Sequence, residues 1–113
     1  MDHYLITFPS AAMVVSRAEY DRSVEESHAV VRAAKAAGVW VFGGGIDESI
    51  APVRVTGDGT LEPAGGQPWV PLTGGFTVLR TPTREVALEW AARIAAACRC
   101  PQEVHAFHYD PES

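Results

Sequence analysis

The residues best suited to move a proton in this chain are four histidines and a pair of adjacent acids. His28 falls in a segment, Arg17 to Ala37, in which Tyr20, Val24, Val31 and Ala34 recur at helical spacing. A helical wheel sets His28 beside Val24 and Val31, at the border of the buried stripe. A partly desolvated imidazole loses basicity and stands neutral near pH 7, which is what a general base requires. The bland alternative is a helix-flank histidine that only packs. Asp47, followed by Glu48, comes directly after Gly43-Gly44-Gly45 and is the carboxylate expected to partner His28, because the strand after the helix passes back beneath it. An acid at a strand end is otherwise simply solvated.

His3, His105 and His108 form a second constellation on the first and last strand segments. If these strands are antiparallel neighbours, the start of one meets the end of the other, and His3 approaches His108. Two imidazoles there can act as a base pair; with no acid cluster and no H-x-x-x-H spacing, no metal site is assigned. Trp40, Phe42, Trp69 and Phe76 lie on or near an inserted arm and can floor an apolar pocket, although aromatic residues are more often core. Tyr4, Trp69, Phe76 and His105 are the residues expected to line such a pocket. No G-x-S-x-G elbow or P-loop is present, and Ser16 is used as a helix cap. The glycine run lacks the third glycine of G-x-G-x-x-G and no helix follows it, so it is a bend or bulge leaving room beside His28 rather than a phosphate cradle. No cofactor is expected.

Seven segments must position these side chains. "HYLITF" is a first strand, His3 to Phe8, ended by Pro9. Ser16 and Glu19 make an S-x-x-E capping box before the helix, and Gly38 closes it. "VWVFGGGI" reads as a buried strand, and "APVRVTGDGTLEP" as a strand entering an Asp58-Gly59 hairpin turn. Gly65, Gly66, Pro68 and Pro71 break the next stretch into a loop. Phe76 to Arg80 is a further strand. Thr81 is expected as the N-cap of a second helix with Pro82 at its first position, and "EVHAFHY" is the last strand.

The order β-α-β-β-α-β is that of an α+β, ferredoxin-like fold: a four-stranded antiparallel sheet with two helices on one face, in a single domain over residues 1–113. Two helices cover only one face, yet both faces of these strands carry apolar side chains. Tyr4, Ile6 and Phe8 oppose Leu5; His105, Phe107 and Tyr109 oppose Val104 and Ala106. A homodimer packed sheet to sheet is therefore expected.

With 113 residues, 47% of them apolar and 20% charged, the chain has the composition of an ordinary globular domain. A formal charge of −5, with its nine basic residues scattered, speaks against nucleic acid as a partner. No apolar run approaches the roughly 20 residues of a membrane span or the pattern of a signal peptide, so a cytoplasmic protein without membrane association is expected. Cys98 and Cys100 in "CRC" are too close for an unstrained disulfide and are read as reduced thiols.

"GGFTVLRTPTREVALEWAARIAAACRCPQEVHAF", together with "YLITF", "AAGVWV" and "VRVTGDGTL", resembles the YCII-related, or DGPF-domain, family of bacterial proteins across nearly the whole chain. The resemblance implies a subunit of the dimeric α+β barrel superfamily. It also implies acid-base chemistry of the kind shown by a dehydrochlorinase relative, and a candidate catalytic histidine at His28. Other members are associated with sigma-factor-like proteins. The signature Asp-Gly-Pro-Phe should fall after "GDGTL", where Ala64 replaces the Asp, Gly65 keeps the Gly, and Pro68-Trp69 preserves a shifted Pro-aromatic pair. Two functions are carried forward: a small homodimeric protein whose small-molecule pocket performs cofactor-free elimination or isomerisation with His28 as base, and a non-catalytic ligand-binding or dimerisation module, with sigma-factor-type regulation as one setting for it.

Overall fold

A computed structural model describes residues 1–113. Strand β1, Asp2–Phe8, leads through a single 3-10 turn at Ser10–Ala12 to helix α1, Arg17–Ala36. Ser16 caps α1 by accepting a hydrogen bond from the Glu19 amide at 3.2 Å, and Gly38 leaves it at a φ of 75° that side-chain-bearing residues rarely adopt. Strand β2, Trp40–Gly45, follows. Strands β3, Val53–Val55, and β4, Leu61–Pro63, form a separate hairpin around the Asp58-Gly59 turn. Strand β5, Gly75–Thr81, helix α2, Arg84–Cys98, and strand β6, Glu103–Ala106, complete the chain.

The main sheet has the order β2-β5-β1-β6 and every pairing in it is antiparallel. This α+β arrangement of two helices and a four-stranded antiparallel sheet is compatible with a ferredoxin-like fold. Tyr4 pairs with Leu79 and Ala106, and Ile6 with Thr77 and Val104, so the alternation of the strand puts Tyr4 and Ile6 on the face beneath the helices. There Ile6, Leu79, Val39, Ala34 and Ala91 form the core, with Trp40, Trp90, Ile94 and Val104 packed around it. His3, Leu5, Phe76, Val78, Arg80, His105 and Phe107 take the opposite face, which no element covers.

Several local expectations are corrected. The cap of α2 is Thr83, whose hydroxyl accepts from the Val86 amide at 3.2 Å; Thr81 is instead a buried residue of β5 that donates to the Thr83 carbonyl at 2.7 Å. The last strand stops at Ala106, so Phe107 to Tyr109 run on without strand pairing. The sheet irregularity falls between Trp40 and Phe42, and β2 continues in register through Gly43, Gly44 and Gly45. The buried stripe of α1 runs through Ser23 and Ala34, not Tyr20 and Val24, because these small side chains let α1 approach α2 closely. Ser23 donates to the Ala97 carbonyl at 2.5 Å, and Arg99 pairs with Glu26 at 2.6 Å across the same contact.

The molecule is a slab, 42 × 42 × 20 Å, with a radius of gyration of 15.8 Å. A compact chain of this length has a radius near 13 Å. The excess comes from a thin two-layer body and an arm, residues 46–73, that stands away from it.

Candidate functional site

The two residues expected to form an acid-base pair lie apart in environment. His28 is exposed on the solvent side of α1, since the stripe centred on Ser23 and Ala34 turns position 28 outward; the desolvation inferred from the helical wheel is absent. No hydrogen bond or ion pair joins it to a carboxylate. Asp47 closes a turn: its Oδ1 accepts from the Ser49 amide at 3.0 Å and the Ser49 hydroxyl at 2.6 Å. These bonds hold the Asp47 carboxyl below the usual carboxylate range, which makes it a weak proton acceptor. Glu48 is equally committed, accepting from the Ser10 hydroxyl at 3.1 Å and the Gly74 amide at 3.4 Å. The room expected above the glycine run is filled by the Trp40 ring, which rests on Gly43.

The arm encloses one cavity of about 750 Å³, bordered by Ile46, Asp47, Ile50, Arg54, Trp69 and Leu72 among others. Its one cation is already used. Arg54 donates to Glu62 at 3.4 Å and to the Gly65 carbonyl, and its guanidinium lies 4.8 Å from the centre of the Trp69 ring. Trp69 therefore pins the arm's own loop, and the residue remains 58% exposed. Ala64 also borders this cavity.

A second cavity, of about 830 Å³, opens at one end of the bare sheet face. β5 contributes Val78 and Arg80, β2 contributes Val41, β1 contributes His3, and the C-terminal tail brings Phe107, His108, Tyr109 and Asp110 over its edge. His3 faces Arg80 in the β1–β5 register, and the Phe107 amide donates to the His3 carbonyl at 3.0 Å. His3 and His108 both border this cavity. Arg80 was expected only as the end of a strand. The signal for it is its spacing: an arginine two residues beyond Val78 and four beyond Phe76, hence on the same face as both.

The four expected pocket residues are dispersed. Phe76 and His105 share the bare face, and His105 lies 3.9 Å from Glu103. Tyr4 is buried on the helix side, because strand alternation places it with Ile6, and Trp69 belongs to the arm. No three His, Cys, Asp or Glu side chains converge where they could hold a metal ion. Cys98 and Cys100 are free thiols, and burial raises both above the usual thiol range. No helix is long and apolar enough to cross a membrane. No protein-family model matches the chain, and no curated protein matches it either.

Proposed function

We propose that the chain is one subunit of a homodimer of the dimeric α+β barrel kind, akin to the YCII-related proteins, whose sheets pack face to face over a site for a small apolar or aromatic organic molecule. The observation that carries this reading is surface. The chain exposes 7959 Å². A folded monomer of 12.1 kDa is expected to expose roughly 6,000 Å². The excess, roughly 1,900 Å², is shared between the arm and the bare sheet face, and the face needs only about 800 Å² of it to make its half of a standard interface. Phe42, Val41 and Phe107 are 68%, 49% and 49% exposed, and the face bearing them is continuous with Leu5, Phe76 and Val78. A second copy supplies the missing layer.

The cavity beside His3, Arg80 and His108 sits on that face and becomes more enclosed once it is covered. His3 and His108 are the groups placed to transfer protons to a molecule held there, without a cofactor. A non-catalytic ligand-binding module is the second reading. It is favoured by the commitment of Asp47 and Glu48 to turn bonds, by the exposure of His28, and by Ala64 in place of the signature acid.

The test is chemical-shift mapping of the full chain with 1-naphthol as a neutral aromatic probe. Shifts centred on Val41, Val78, Phe107 and Tyr109 are expected. Shifts confined to Trp69 and Leu72 would move the site to the arm, and no shifts at millimolar probe would remove the small-molecule reading.

A further inference from the structure

The open-face cavity holds a permanent cation with no internal partner. Arg80 sits on β5, an interior strand of the sheet, in register with His3 on one side and projecting from the same face as Val78. Its guanidinium enters no ion pair and no side-chain hydrogen bond, whereas Arg54 and Arg99 are each held by several. Unpaired arginines are ordinary on a helix surface. One on the apolar face of an inner strand, bordering a cavity, calls for an anion once a partner covers it, since covering it unpaired would leave a buried charge.

The other charged groups around the cavity narrow the choice. Asp110 is occupied: its Oδ1 accepts from the Glu112 amide at 2.9 Å and its Oδ2 from the Ser113 hydroxyl at 3.1 Å. Asp2 borders the mouth, but it pairs with Thr81 and alternates with His3, which assigns its side chain to the helix side of β1. His3, His108 and the Tyr109 hydroxyl are the remaining side-chain donors. With Asp2 turned to the other face and Asp110 held in its own turn, the one fixed positive charge of Arg80 suits a monoanion; a phosphate dianion would need more positive charge than this. Val41, Val78, Phe107 and Tyr109 provide an apolar wall.

We propose that this cavity binds a small organic monocarboxylate, with Arg80 taking the carboxylate in a two-pronged hydrogen-bonded pair and Val41, Val78 and Phe107 packing its apolar or aromatic body. The assignment rests on the open-face small-molecule reading and specifies its ligand class. The volume of about 830 Å³ falls within the range of roughly 300–1,000 Å³ usual for such ligands.

Titration calorimetry of the full chain with benzoate, phenylacetate and hexanoate, each matched to its primary amide at constant ionic strength, tests it. At least one acid binds tenfold or more tightly than its amide, and Arg80→Gln brings that acid to the level of the amide while leaving the amide unchanged. Arg80→Lys retains part of the preference. Because Arg80 is exposed in the chain, an unaltered urea midpoint for both variants checks that the fold is kept. Equal binding of acids and amides, or a preference that survives Arg80→Gln, overturns the monocarboxylate while the open-face site stands. Failure of acids and amides alike overturns both.

Discussion

The indole of Trp40 lies across Gly43, so close that a Cβ on Gly43 would stand 2.5 Å from its Cη2 and 2.9 Å from its Cζ2. The glycine run is thus a seat for a side chain of its own strand. The bulge between Trp40 and Phe42 frees Trp40 to fold along the helix side of β2, and only a residue without a side chain fits beneath the ring.

Gly43→Ala is therefore expected to destabilise the protein by about 1–3 kcal/mol, the usual cost of overpacking, read from urea unfolding. In a Trp40→Phe background, where the outer ring atoms are gone, the same change costs clearly less. An equal cost in both backgrounds would place the strain elsewhere, and the double-mutant cycle measures the difference.

The helix layer is joined through the Ala97 carbonyl, which receives the Ser23 hydroxyl at 2.5 Å and the Arg99 guanidinium at 2.9 Å. Ser23→Ala alone leaves that carbonyl satisfied by Arg99 and is expected to cost about 1 kcal/mol. Adding Arg99→Ala orphans the carbonyl, so the double variant should lose more than the sum of the singles in denaturant unfolding. Simple additivity would mean that the two donors do not share it.

Much of this architecture is legible locally. The Ser16–Glu19 cap, the positive φ of Gly38, the Asp58-Gly59 turn and the alternation of Tyr4 and Ile6 against Leu5 are short-range signals written in neighbouring residues. Most of the departures depend on distant partners. Ser23 looks like a surface residue until Ala97, which accepts its hydroxyl proton, is brought alongside, and this rotates the apparent buried stripe and carries His28 into solvent. Thr81 and Thr83 are equally good caps by type, and the choice between them is made by the reach of β5 along β1. Asp47 has the right type and a plausible place, but Ser49 uses its oxygens first. Arg80 becomes notable only once Val78, His3 and the C-terminal tail are seen around it.

Acid should weaken the fold in a defined window. Hydrogen bonds from Thr56 and Thr60 lower the Asp58 carboxyl from 3.8 to about 2, and the Arg99 guanidinium lowers Glu26 from its ordinary 4.5. Groups depressed in the folded state contribute stability that is complete above their unfolded values and is lost as pH falls through the folded ones. Stability should thus decline below about pH 4.5 and continue falling towards pH 2. Glu26→Gln should lower stability at pH 7 and shrink the difference between pH 7 and pH 3 in matched urea titrations. The Glu26 part should fade in high salt, since the pair is partly solvated. An unchanged pH difference would remove Glu26 from the account.

Sedimentation equilibrium decides whether the bare sheet face packs against a second copy of the chain, as proposed. The expected result is a species of twice the 12.1 kDa chain mass for the wild type, and a folded single-chain species for Phe42→Glu, which places a charge on that face. A wild-type protein that sediments as a single chain at concentrations on the order of 100 μM, weaker than a stable interface of this size allows, would contradict it.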